Sequence, residues 1–302
     1  MQMLWRDRLV LFLKGAAIGI ADSVPGVSGG TIAVISGIYE DLLHALKRCN
    51  PLSLRVLWEQ GPKAFWLHIH GDFLLTLGIG ILGSLMLMAN TVLYLLDNHF
   101  MLVMAFFLGL VLASCWLLYP EVGRPSLLKL ALFAAGFVLT TATALLNPAA
   151  GSTSLLYLFL CGAVAICAMI LPGISGAFIL ILLGAYEYVL GALRSFQWEV
   201  ILVFAAGCAT GLLSFAHVLS MMLHYHRQTT FAFLVGMLAA SLIVLWPWRL
   251  STEPGAGFGM MPWVYTEVSG QSSQWLAVLL CAITGFAIII VFAAIVRRRS
   301  GL

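Results

Sequence analysis

The sequence predicts an all-α integral membrane protein with an inverted-topology repeat: two halves, each a re-entrant helical hairpin followed by three transmembrane helices. Three observations predict this. The chain of 302 residues is 62% hydrophobic and only 9% charged, whereas soluble domains are about 25% charged. A Pro-Gly-x-Ser-Gly cluster interrupts apolar sequence twice. The apolar runs also fall into two sets with the same order, each set holding one interrupted segment and three continuous ones.

The duplication is visible residue by residue. Val24 to Glu40 reads VPGVSGGTIAVISGIYE, and Leu171 to Glu187 reads LPGISGAFILILLGAYE. Aligned at an offset of 147, residues 24–46 and 171–193 share 11 of 23 positions, enough to identify a repeat. The matches include Pro25/Pro172, Gly26/Gly173, Ser28/Ser175, Gly29/Gly176, Gly37/Gly184, Tyr39/Tyr186 and Glu40/Glu187. The similarity resumes at an offset of 127 with Phe106/Phe233, Gly109/Gly236, Ala113/Ala240, Ser114/Ser241 and Pro120/Pro247. It ends on Gly136-Phe137 against Gly285-Phe286. The offset falls because the first half carries an extra insert.

The first repeat occupies 1–150. It comprises a hairpin over 9–46, an insert over 47–70, and spans over 73–96, 101–120 and 127–146. The insert mixes Arg55, Glu59 and Lys63 with Leu57, Trp58 and Trp66, a pattern suited to the membrane interface. The second repeat occupies 151–302, with a hairpin over 153–193 and spans over 200–223, 229–248 and 275–296. Loop 249–274 is rich in Gly, Pro, Trp and Tyr and reads as an interfacial loop or a cover on an outward opening. Each broken segment adds an even number of crossings whether it re-enters or crosses fully. Three more crossings make each half odd, so the second copy is upside down relative to the first. With the N-terminus cytoplasmic, 13 of the 15 Lys and Arg lie on or near the cytoplasmic side, and only Arg194 and Arg249 lie outside. That bias places both termini in the cytoplasm of a multi-pass membrane protein. Arg6 and Arg8 before Leu9 to Ala21 mimic a signal peptide. Cleavage there would remove part of a duplicated element.

Broken backbone inside a bilayer is tolerated only within protein or beside a water-filled cavity. The residues after each break are apolar and helix-compatible, so each break begins a helix deep in the membrane. Its free N–H groups and positive dipole end suit an anion such as phosphate. Pro25, Gly26, Ser28, Gly29, Gly30 and Thr31, with Pro172, Gly173, Ser175 and Gly176, form this expected binding set. Lys14 in the first hairpin arm and Arg194 after the second are its candidate cationic partners. The competing structural reading is tight small-residue helix packing, which explains the Gly residues but not the repeated Pro-Gly-x-Ser-Gly cluster. GVSGG also fits G-x-S-x-G, the pattern of a serine nucleophile. Such a hydrolase would need a base, and the residue matching His217 in the other half is Asn90.

Polar residues in spans are functional candidates by default. Asp22 has Met169 as its counterpart and breaks the symmetry; with Glu40, Glu187, Asn90 and His217 it is a candidate for coupling or gating. The alternatives are interfacial caps for the two Glu residues and helix–helix hydrogen bonds for Asn90 and His217. The six Cys lie mostly in apolar segments and read as small buried hydrophobes. No P-loop, dinucleotide fingerprint or HExxH is present, and nothing points to a cofactor, a metal or nucleic acid.

The two broken motifs, with the spans between them, also resemble the bacterial undecaprenyl-phosphate (polyprenyl-phosphate) translocase family of PopT type. The resemblance covers essentially the whole chain. The first motif matches well; the second is looser, with Ala177 and Phe178 where the first has Gly30 and Thr31. It implies a flippase, not an enzyme, that returns the phosphorylated lipid carrier from the outer to the inner leaflet for peptidoglycan and other envelope polymers. Transport would proceed by alternating access around a midplane phosphate site, with membrane lipids as partners and H⁺ or Na⁺ as the possible coupling ion. Without the resemblance, the residues leave open a secondary transporter of a small soluble anion, an intramembrane serine hydrolase, or a scaffold.

Overall fold

A computed structural model describes residues 5–22, 28–50, 52–146, 151–249 and 259–300. Side chains at 54, 88–90, 92–93, 144, 194, 292 and 295–300 lie outside that description. Fourteen helices are described: α1 Trp5–Asp22, α2 Gly29–Ile35, α3 Tyr39–Arg48, α4 Ser53–Gln60, α5 Pro62–His68, α6 Gly71–Val122 and α7 Leu127–Leu145 in the first half, then α8 Leu155–Ile170, α9 Gly176–Leu182, α10 Tyr186–Arg194, α11 Trp198–Tyr225, α12 Arg227–Val244, α13 Pro262–Ser269 and α14 Trp275–Ser300 in the second.

The chain is a multi-pass membrane protein. Three stretches are long and apolar enough to cross a bilayer: Tyr94–Val122, Trp198–Tyr225 and Arg227–Val244. Among the described residues, two bent pairs, Pro62–His68 with Gly71–Leu87 (68°) and Gly176–Leu182 with Tyr186–Leu193 (111°), are broken spans or re-entrant loops, and the number reaches five if each is one span. Outer faces carry exposed apolar side chains at helical spacing, such as Leu75, Ile79, Leu82 and Met86 on α6. In water this would be an aggregating surface; in a bilayer it faces lipid.

Two connections between the expected spans are informative. Within α6 two helices meet at a kink at His99 (φ −136°, ψ 35°), in the gap between the spans expected at 73–96 and 101–120. The join between α11 and α12 is His226, with φ −133° and ψ 44°. His226 minus 127 is 99, so the same residue makes the same break at equivalent places. The loop expected at 249–274 contains helix α13, whose Tyr265 is buried with Ala105, Trp248 and Val278.

Equivalent residues also make equivalent contacts. α1 lies along the first part of α6, where a Cβ on Gly15 or Gly19 would overlap the carbonyls of Leu77 and Ile81. α8 lies along α11 in the same way, with Gly207 against Phe159 and Gly211 against Ala163. The later spans exchange partners: Gly136 of α7 abuts Phe233 of α12, and Gly285 of α14 abuts Phe106 of α6. With no hydrophobic drive between helices in lipid, such close backbone approach supplies the packing attraction.

The broken segments fold back on themselves. α2 ends in a Schellman cap, with Gly37 N–H to Val34 O and Ile38 N–H to Ala33 O; α9 ends identically, with Gly184 N–H to Ile181 O and Ala185 N–H to Leu180 O. Both caps need a residue in the left-handed region, and Gly37 (φ 69°) and Gly184 (φ 62°) supply it. Lys14 Nζ donates to Ser36 O at 2.7 Å, tying α1 to the end of α2. In the second half Tyr157 Oη donates to Leu183 O at 2.6 Å. Leu183 is the counterpart of Ser36 (36 plus 147), so a different donor closes each hairpin on the same carbonyl.

Candidate functional site

Three features carry polar chemistry inside this fold: the junction of the hairpin tips, a cavity beside α1, and an ion cluster at one end of the bundle.

At the junction the two motifs meet. Ser28 is 1% exposed and N-caps α2, accepting from Gly30 N–H at 3.1 Å. Its hydroxyl proton faces Leu171 O at 3.0 Å and Met169 O at 3.1 Å, and serves one of them at a time. Thr31, also buried, accepts the Gly173 N–H at 3.2 Å. Tyr39 Oη donates to Ile170 O at 3.2 Å. A Cβ on Gly30 would overlap Ile170 O. Ala177, its counterpart, is exposed and has room for its methyl group. The looser second copy of the motif therefore has a structural cause: the first copy reaches across the junction and the second receives it.

In this arrangement the expected anion donors have partners within the protein. Sequence reasoning left the donors at the breaks free for a ligand. Here Gly29 N–H donates to Asp22 Oδ1 at 2.6 Å, Gly30 N–H to Ser28, and Gly173 N–H to Thr31. Buried N–H groups seek partners wherever the fold offers them; here the same half supplies them for Gly29 and Gly30, and the opposing tip for Gly173. Asp22 Oδ2 is buried without a hydrogen-bond partner. Ser175 makes no cap bond, and Gly176 is backed by Ala165 O. Pro172 is fully buried. Pro25 and Gly26 lie outside the described residues.

The cavity occupies about 910 Å³ between α1, α2, α6 and α14. Its walls follow α1 from Asp7 to Ala21, a rise of about 21 Å. Asp7 and Asp41, both exposed, mark one end. Half-buried Lys14 stands between, bonded to Ser36 O. Beyond Lys14 the lining is apolar: Ile20, Ile32, Phe106, Phe107, Leu110 and Ile289 are representative. No sequence motif marks this space, because its walls come from elements some 250 residues apart, as Ile32 and Ile289 illustrate.

The ion cluster joins the halves. Arg227, at the start of α12, binds Glu40 of α3 at 2.6 Å and Glu121 near the end of α6 at 3.1 Å. Its guanidinium also sits 5.1 Å from the Phe231 ring centroid. Next to it Lys129 Nζ donates to Gln228 Oε1 at 2.7 Å. Sequence reasoning singled out Glu40 but missed Arg227 and Glu121. The residue matching Arg227 (227 minus 127) is Phe100, and among the described residues no second such cluster is found. Glu187 is exposed on α10.

Two expected polar candidates fall elsewhere. His217 is exposed on α11, to one side of the buried stripe of Ala216, Leu219, Ser220 and Leu223, and is not among the residues of the junction or the cavity lining. The side chains of Asn90 and Arg194 lie outside the described residues. Without His217, Ser28 has no base among its hydrogen-bond partners, and its hydroxyl acts as cap and cross-brace.

Comparison with known proteins adds the following. A family model described as VCA0040-like, undecaprenyl phosphate translocase-like, matches residues 18–256. A polyprenyl-phosphate transporter of Vibrio cholerae is 39% identical over 292 residues, covering 93% of this chain and 95% of that protein. A polyprenyl-phosphate transporter of Staphylococcus aureus is 30% identical over 262 residues, covering 78% and 85%. No solved structure matches the chain.

Proposed function

This chain belongs to the undecaprenyl phosphate translocase-like family, and from that premise we propose that it carries polyprenyl phosphate between the leaflets of the bacterial cytoplasmic membrane, returning the lipid carrier to the inner leaflet. One observation carries the lipid over a small soluble anion. The cavity beside α1 is walled mainly by apolar side chains with Lys14 among them, while its water-side end is flanked by the carboxylates of Asp7 and Asp41. Those carboxylates repel an anion arriving from water. A phosphate borne on a lipid arrives along the apolar wall and meets the ammonium.

The two halves act as an inverted repeat of re-entrant hairpins with both termini cytoplasmic. The matched caps, matched breaks at His99 and His226, and exchanged span pairs support this reading. So does the gathering of Glu40, Glu121, Arg227 and Lys129 at the Asp7 end. Rocking of one half against the other alternates access. In the other state the tips separate, and Ser28, Gly29, Gly30, Thr31 and Gly173 exchange their protein partners for the phosphate. Asp22, with its unpaired buried oxygen, is the residue best placed to carry a coupling H⁺ or Na⁺.

The test is reconstitution in liposomes containing undecaprenyl phosphate, measuring the fraction accessible in the outer leaflet. Protein-dependent loss of outer-leaflet lipid is expected. An unchanged distribution, with folded protein and an imposed ion gradient, sinks the proposal.

A further inference from the structure

The cavity beside α1 has an order along its length that bears on how the lipid lies in it. From the Asp7 end inward come two exposed carboxylates, a short apolar stretch of Val10, Leu11 and Leu13, then Lys14 and Ser36, then apolar side chains from four helices. Lys14 is seven residues from Asp7, about 10 Å of helical rise. The apolar part extends to Ala21 and Ile32, next to the hairpin tips. Because the Asp7 end closes on carboxylates and the tip end on apolar side chains, an amphiphile with one anionic group fits with its head at Lys14 and its chain toward the tips. That is the direction of a lipid in the leaflet on the Asp7 side.

Size sets a second limit. At roughly 30 Å³ per non-hydrogen atom, the volume of a water in the liquid, about 910 Å³ holds roughly 30 such atoms. Five belong to a phosphate, which leaves room for about five prenyl units at that density. An eleven-unit chain is roughly twice too long to be enclosed by this space. The second half has no matching cation, since the counterpart of Lys14 (14 plus 147) is Cys161, itself buried.

We propose, on the basis of the transport reading above, that this cavity is the inner-leaflet station of the lipid. It holds the phosphate at Lys14 and about the first five prenyl units against Phe106, Phe107 and Ile289, and leaves the distal chain in the bilayer. Recognition then ends with the proximal chain. A chain already in lipid gains no hydrophobic free energy by entering an apolar protein wall, so distal units add nothing to binding.

Two measurements on the full chain in nanodiscs test this. Undecaprenyl phosphate bearing a photoreactive group on the second prenyl unit should label the Phe106, Phe107 and Ile289 face; the same group on the terminal unit should not. In competition, four-unit geranylgeranyl phosphate should match undecaprenyl phosphate to within about threefold, and geranylgeraniol should be at least about tenfold weaker, as expected for loss of a charge-assisted contact. Lys14→Met should erase the difference between phosphate and alcohol, and Lys14→Arg should keep it. Labelling of that face by the terminal probe, no labelling there by the proximal probe, or a requirement for long chains would overturn the proposal while transport stands. Failure of undecaprenyl phosphate to bind or move at all would instead overturn the transport reading.

Discussion

Ser28 and Ser175 occupy the same place in the repeat and differ in what they hold, so replacing each by Ala is a matched comparison. Ser28→Ala removes an N-cap, a loss of about 1 kcal/mol. It also removes the proton shared by Leu171 O and Met169 O, leaving a buried carbonyl unpaired at a penalty of about 1–3 kcal/mol. Together the expected destabilisation is about 2–4 kcal/mol. Ser175 is half-buried and makes no cap bond, so Ser175→Ala should change stability by no more than about 0.5 kcal/mol. Unfolding midpoints of the two detergent-purified variants against the parent decide the matter. Equal losses in both, or a Ser28→Ala loss under about 0.5 kcal/mol, would refute the asymmetric junction.

Other consequences follow from the same geometry. Gly30→Ala should prevent the tips from closing and sharply reduce the yield of folded protein, because its Cβ overlaps Ile170 O; Gly78→Ala, with open space around it, should be neutral or stabilise by up to about 1 kcal/mol, and the reverse ranking in a stability screen would count against the junction. Arg227→Gln breaks two partly exposed ion pairs, each worth about 0–1 kcal/mol; stability should scarcely change, whereas a cysteine placed at Ile289 should become more reactive to a membrane-impermeant thiol reagent as the Asp7 end opens. Unaltered labelling with altered stability would make the cluster a brace and not a gate. Asp22→Asn keeps an oxygen for Gly29 N–H and removes the charge; gradient-driven lipid accumulation should be lost while downhill movement continues, and retained gradient dependence would remove Asp22 from coupling.

Much of the architecture was legible in the chain because it rests on local chemistry. Composition placed the molecule in a membrane. Gly37 and Gly184 mark where α2 and α9 stop, since the cap that ends them needs a left-handed residue. Small residues at 109, 136, 236 and 285 mark where helices approach closely. The break at His99 falls in the polar run Asp97-Asn98-His99 between two apolar stretches, and the match with His226 marks it a second time.

The site was less legible. Ser28, Gly30 and Thr31 were identifiable, but their partners lie 141 to 143 residues away, or in the case of Gly30 in the cap itself. Whether the Gly173 N–H points at a ligand or at the Thr31 hydroxyl of the opposing tip depends on how closely two hairpins approach, and no spacing encodes that. His217 is polar and mid-span, as an internal ligand would be, but the face it occupies follows from which side of α11 packs on α8. The same holds for the cavity, whose cation, acids and apolar wall come from α1, α3, α6 and α14 and converge only on folding. The chain by itself therefore determined the class, the duplication and the break points, which follow from composition and backbone preference. Tertiary packing decided which donors are satisfied, where the positive charge of Lys14 stands, and that Arg227 clasps Glu40 and Glu121, because each of these depends on a partner remote in sequence.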